Sequence, residues 1–322
     1  MIYKKKINNF LVIAITGPTA CGKTNLSLNL SKYLPIEIIS VDSGLVYKDL
    51  DIGTAKPSKY ELKKIPHRLI DIKDASENYS VGEFRHDALI SISEIIKNDK
   101  IPVLVGGTML YYQALLNGLS VLPPANIFLR NKILNIVKKI GVVELHNQLK
   151  IIDPESAYRI HPNDLQRVLR ALEVYFISGK TLSQLRKIVI SDFPYSVIKI
   201  LLLPKDMKSL HKKIEIRFNN MLKIGFQTEV EKLFLRKDLY LNACSIRRIG
   251  YFQMWKFLSN HLSYKEMIQQ TLFATRKLAK HQMTWLKKWK DAYFIYHEHE
   301  NCIVDHVLSI LRKNLFLKKY FL

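Results

Sequence analysis

Apolar residues run without a break over 11–16, and the run stops at Gly17-Pro18. A stretch of that length with no polar alternation predicts a strand buried on both faces, as in parallel sheets. Similar runs over 36–41 and 101–105 predict two more strands, the second closing at Gly106-Gly107, and 197–203 predicts a fourth, ended by Pro204. Over 23–34 and 81–98 the apolar spacing changes to the helical period, so strands alternate with helices. That alternation predicts an α/β domain on a parallel sheet, whose ligands collect beyond the carboxyl ends of the strands. Three loops stand there, 17–24, 42–47 and 106–112, and each holds chemically useful side chains.

From Pro123-Pro124 to about residue 187 the pattern is helix after helix, before the run over 197–203 returns the chain to the sheet. Longer amphipathic segments follow over 207–236 and 264–290. The predicted organisation is a core made of residues 1–122 and 195–322, interrupted by a helical insertion at 123–194.

Charge adds a partner class. The 322 residues hold 50 Lys and Arg against 28 Asp and Glu, a net +22, whose sign attracts polyanions and makes nucleic acid the leading candidate. Lysine-rich, solvated helix faces with no partner would give the same count, so motifs must decide. Cys21, Cys244 and Cys302 lie far apart without paired spacing, which predicts neither disulfides nor a zinc site and fits a reducing, cytoplasmic compartment. The basic residues before position 11 resemble a secretory start, but the apolar run is short and enters a glycine-rich loop directly, so they are read as a leader to the first strand. No apolar stretch is long enough to span a bilayer.

Gly17-Pro18-Thr19-Ala20-Cys21-Gly22-Lys23-Thr24 fits G-x-x-x-x-G-K-[ST] between a predicted strand and a predicted helix, the context this phosphate loop needs. Its backbone amides and the helix N-terminus face negative charge, Lys23 reaches phosphate oxygens, and Thr24 is placed for a phosphate-bridging Mg²⁺. ATP, GTP and a prenyl diphosphate all suit such a loop, so it identifies phosphates and not a reaction.

Further motifs narrow the choice. They are Val41-Asp42-Ser43-Gly44-Leu45-Val46-Tyr47, Asp51-Ile52-Gly53-Thr54-Ala55-Lys56-Pro57, Pro66-His67-Arg68 and Gly106-Gly107-Thr108-Met109-Leu110-Tyr111. His161-Pro162-Asn163-Asp164, Arg170-Ala171-Leu172-Glu173 and Ala274-Thr275-Arg276 with Gln282 and Trp285 follow in order. Together they resemble the tRNA dimethylallyltransferase (isopentenyltransferase) family over nearly the whole chain. The resemblance implies a P-loop NTPase-like core with an inserted all-helical domain that contacts tRNA. It also implies transfer of a dimethylallyl group from dimethylallyl diphosphate to N6 of adenosine 37, beside the anticodon, in tRNAs that read codons starting with U. The implied partner is the anticodon stem-loop, the implied cofactor Mg²⁺, and the implied state a cytoplasmic monomer.

Residue by residue, the resemblance makes Asp42 the general base, with Thr108 and Lys23 beside the reaction. It assigns tRNA contacts to Asp42, Ser43, Gly44, Leu45 and Thr108, to Arg130, to Gln166, Arg167, Val168, Leu169 and Arg170, and to Arg247, Arg248, Ile249, Gly250, Tyr251 and Phe252. Asn163 or Asp164 can cap a helix ending at Gly179, which gathers Gln166, Arg167 and Arg170 on one polar face. Phe252 stands where the family usually has a basic residue, and Arg248 next to Arg247 partly compensates. Gly44 and Cys21 are milder departures. Trp285 and Trp289, at helical spacing, are read as core anchors. Two rivals are an ATP-dependent small-molecule kinase, which leaves the basic insertion unexplained, and a non-catalytic RNA-binding protein, which leaves Lys23, Thr24 and Asp42 unexplained.

Overall fold

A computed structural model describes residues 10–190, 193–296, 300–314 and 317, so the basic leader lies outside the described residues. The chain divides into two compact units, Leu116–Phe193 and the remainder.

The larger unit carries a six-stranded sheet in the order β3-β2-β4-β1-β7-β8, with every pairing parallel. Its first elements are β1 (Leu11–Thr16), α1 (Lys23–Leu30), β2 (Ile36–Ser40), α2 (Lys59–Lys64), β3 (His67–Arg68), α3 (Val81–Lys97), β4 (Ile101–Gly106) and α4 (Met109–Asn117). Every residue of β1, β2 and β4 is buried, which is why these strands read as largely apolar runs, with the buried Glu37 of β2 paired to Arg68 and Lys100. Register sets Ile13 between Val103 and Ile198, and Thr16 beside Gly106. Adjacent strands β2, β4 and β1 therefore release their loops on one edge of the sheet.

In the smaller unit, β5 (Leu119–Ser120) pairs antiparallel with β6 (Val189–Ile190) around α5 (Ile127–Ile140), α6 (Val142–Ile152), α7 (Pro154–Arg159), α8 (Leu165–Ser178) and α9 (Leu182–Arg186). Its core includes Ile133, Leu149, Val168, Leu172 and Leu182. Of the two expected caps of α8, Asp164 is the one that accepts the Arg167 N–H.

Back in the larger unit, the chain continues as β7 (Ser196–Leu203), α10 (Met207–Lys223), α11 (Phe226–Phe234), α12 (Tyr251–Leu258), α13 (Tyr264–Leu286), β8 (Ala292–Tyr296) and α14 (Glu300–Arg312). The amphipathic stretch expected over 207–236 is two helices, because Gly225 takes φ 105°, which ends one and starts the next. Strands β3 and β8 were not expected. β3 has only two residues, and β8 is the short aromatic-rich run Ala292–Tyr296 in which only Ile295 is buried.

Candidate active site

Loop 17–24 leaves β1, Asp42 follows β2, and Thr108 follows β4, so strand order alone brings three sequence-distant loops together. Two cavities open among them, both lined entirely by residues of the larger unit. The smaller, about 130 Å³, is bounded by Lys23, Thr24, Ser27, Ser40, Leu45 and His67. The larger, about 470 Å³, is bounded by Ser43, Thr108, Phe218, Arg248, Tyr251 and Trp285 among others. Asp42, Thr19, Thr54, Gly107, Arg217 and Gln282 line both.

The smaller cavity is cationic and rich in hydroxyls. Lys23 Nζ donates to the carbonyls of Gly17 (3.0 Å) and Pro18 (2.8 Å). Burial lowers its pKa to about 8, opposed by the fields of Cys21 and Asp42. Burial likewise lowers Arg217, which Asp42 offsets. Cys21 is packed into the core and its thiol is raised by burial, so this side chain fills space beneath the loop.

Asp42 Oδ1 accepts the Gly44 N–H at 2.8 Å, and among the described residues Oδ2 has no protein partner. Thr108 is held through its oxygen, which accepts the Ser43 N–H at 3.1 Å, while its own N–H donates to the Val41 carbonyl. Arg248 donates to Ser43 Oγ at 2.7 Å, and its Nε is buried without a hydrogen-bond partner among the described residues. The run Arg247, Arg248, Ile249, Gly250 and Tyr251 lines the larger cavity. Phe252 does not, and the Lys256 ammonium stands over its ring at 4.8 Å from the centroid.

The remaining expected contacts lie in the helical unit. Arg130 sits there with its guanidinium engaged by Glu173, Nε to Oε1 at 2.9 Å and Nη2 to Oε2 at 3.0 Å. Arg170 grips the same carboxylate at 2.6 Å, and the Asn126 N–H completes the set. Gln166 and Arg167 are exposed, with Arg167 paired to Asp164. Val168 and Leu169, expected in an RNA-contacting run, are buried in this unit's core, so their side chains are not offered to a partner.

Trp285 corrects the sequence reading. It is 41% exposed and walls the larger cavity, whereas a core anchor would be covered. Trp289 is half-buried against the edge of Tyr112, with ring centroids 5.4 Å apart. Sequence reasoning also passed over Arg217, one more cation in a basic amphipathic helix. Gln282 was noticed only as a motif match, yet its Nε2 donates to the Gly107 carbonyl and its Oε1 accepts the Thr19 N–H.

A carboxylate between a phosphate-sized cationic cavity and a larger, partly apolar one suits alkylation of a base by a diphosphate ester. The profile of the IPP transferase family matches residues 45–289. This chain is 52% identical, over 315 residues covering 98% of both proteins, to a tRNA dimethylallyltransferase of Buchnera aphidicola subsp. Acyrthosiphon pisum (strain APS). Among solved structures it is similar to the full-length tRNA isopentenylpyrophosphate transferase of Bacillus halodurans, with TM-score 0.70 and 33% identity over 97% of this chain and 98% of that one. It is also similar to a eukaryotic dimethylallyltransferase acting on tRNA, with TM-score 0.75 and 28% identity over 96% of this chain and 77% of that one.

Proposed function

The chain belongs to the IPP transferase family, and from that membership we propose that it is a prenyltransferase that places a dimethylallyl group on an adenosine of tRNA. The donor in this reading is dimethylallyl diphosphate. The acceptor is N6 of adenosine 37 in the anticodon stem-loop of tRNAs that read codons starting with U. The observation that carries the reading is Asp42 standing on the wall common to both cavities.

The diphosphate lies in the smaller cavity against the amides of loop 17–24, Lys23 and Arg217, with its allylic carbon toward Asp42. The target adenine, turned out of the RNA stack, enters the larger cavity beside Thr108. The bond between the allylic carbon and the bridging oxygen breaks, and its electron pair leaves with the diphosphate. A bond forms between N6 and that carbon, and the proton lost from N6 passes to Asp42. Fixed cations and amides facing the departing oxygens lower the barrier because they need no reorganisation.

Mg²⁺ fits the smaller cavity. Thr24 lines it, and the buried Ser40 Oγ that also lines it has no hydrogen-bond partner among the described residues. Among the described residues no cluster of three His, Cys, Asp or Glu exists, which suits a hard cation held mainly by diphosphate oxygens. When bound it supplies charge neutralisation at the diphosphate, with Thr24 as its protein ligand.

The tRNA contacts proposed here are Gln166, Arg167 and Arg170 on α8 of the smaller unit and, separately, the run from Arg247 to Phe252 of the larger unit. The larger cavity's mouth at Trp285 adds a stacking surface. No helix among the described residues is long and apolar enough to cross a membrane. A cytoplasmic monomer is the working state in this reading.

The test is transfer of label from radiolabelled dimethylallyl diphosphate to unmodified tRNA in Mg²⁺, with Asp42→Asn as control. Label in tRNA with the wild type and its loss in Asp42→Asn supports the reading. Phosphoryl transfer from ATP with no prenylation would replace it by the kinase alternative.

A further inference from the structure

One carboxylate outside both cavities gathers the walls of the larger one. Glu229 lies in the first turn of α11, directly after the break at Gly225. Its Oε2 accepts the N–H groups of Asp51 (3.0 Å) and Ile52 (2.7 Å), and its Oε1 accepts the N–H of Gly53 (3.1 Å) and the Tyr251 hydroxyl (2.5 Å). Three consecutive backbone donors and a phenol thus converge on one side chain. Charge-assisted bonds of this kind are about twice as strong as neutral ones.

The two segments it joins have separate tasks. Loop 51–54 carries Thr54, which lines both cavities and whose carbonyl receives Arg217 Nη2 at 3.4 Å. Tyr251 ends the run Arg247 to Gly250 on the adjoining part of the cavity wall. Packing reinforces the join. A Cβ on Gly53 would stand 2.3 Å from the Phe226 ring and 2.5 Å from the Tyr251 ring, and both rings are fully buried. The loop can lie this close only as glycine, and the carboxylate draws it there.

We propose that Glu229 is a positioning residue for the prenyl transfer: by fixing loop 51–54 it sets where Arg217 meets the diphosphate, and by holding Tyr251 it fixes the adjoining wall to match. This rests on the prenyltransferase reading. Glutamine at 229 keeps the size but turns an N–H₂ toward backbone donors, so the loop is released on one side. Aspartate keeps the charge but withdraws it by one methylene.

The experiment measures KM and kcat for dimethylallyl diphosphate and for tRNA separately in wild type, Glu229→Gln, Glu229→Asp, Arg217→Lys and Glu229→Gln/Arg217→Lys. Thermal melting checks the fold, and Glu231→Gln on the same helix is the control. The expected result is a KM for the diphosphate raised about tenfold in Glu229→Gln, as for one weakened charged hydrogen bond. Glu229→Asp should move the same way by less, and the double variant should be no worse than Arg217→Lys alone. KM values within twofold of wild type in a folded Glu229→Gln protein would overturn the proposal, as would strictly additive losses in the double variant. If Glu229→Gln does not fold, Glu229→Asp carries the same two comparisons. Absence of transfer by the wild type would instead count against the prenyltransferase reading.

Discussion

Gln282 accepts the Thr19 N–H at 2.9 Å, so a helix near the end of the chain holds a phosphate loop 263 positions earlier. The other end of the same amide donates to Gly107. Neither atom of the amide can be exchanged without losing a bond, which fixes its orientation.

Gln282→Ala should therefore raise KM for the diphosphate about tenfold while costing only ~1 kcal/mol of stability, since the freed groups border a cavity open to water. Steady-state kinetics beside a urea titration separate the two effects. A large stability loss with unchanged KM would make Gln282 a packing residue only.

Lys23 predicts a pH dependence. Burial lowers its pKa to about 8, so the free enzyme holds the charged ammonium below that value and loses it as pH rises through it. kcat/KM for dimethylallyl diphosphate, which reports the free enzyme, should fall across pH 8. In Lys23→Arg the fall should vanish even though the rate is lower, because arginine stays charged.

Glu173 is fully buried, and although burial pushes its pKa up, the hydrogen bonds of Arg130 and Arg170 hold it below the ordinary 4.5. The stabilisation it gives is complete above that ordinary value and is lost as pH falls below it. Glu173→Ala, which leaves two arginines facing each other, should cost about 3 kcal/mol at pH 7 in a denaturant titration. Its stability should also decline less than the wild type's between pH 5 and pH 3.

Trp285→Ala separates two readings of one side chain. A core tryptophan would cost about 3–5 kcal/mol. The exposed residue at the cavity mouth should cost less than 1 kcal/mol and instead raise KM for tRNA several-fold. Melting temperature and tRNA titration decide between them.

These residues also show what the sequence could reveal. Strands β1, β2 and β4 are buried on both faces, so hydrophobic pattern alone located them and the loops that follow. Loops 17–24, 42–47 and 106–112 were legible for that reason, whereas the roles of Asp42 and Thr108 came from the family resemblance. Arg217 was not, because a guanidinium that turns into a cavity is spelled like its solvated neighbours on the same helix. Trp285 was misplaced because helical spacing reports which face it shares with Gln282 and not how deeply that face is covered. The join at Glu229 depends on a loop 176 to 178 positions away, a distance at which periodicity is silent.

Strand β1 takes β4 as one neighbour and β7 as the other, and all of Leu116–Phe193 is translated between those two. On the ribosome the helical unit, with a hydrophobic core of its own, leaves the exit tunnel while the central strand still lacks a partner on one side. The half-made sheet then presents a bare edge until β7 arrives, and the phosphate loop lacks its bond to Gln282 until α13 is made. The bond that ties the phosphate loop to α13 thus joins groups made 263 positions apart, so synthesis must reach Gln282 before it can form.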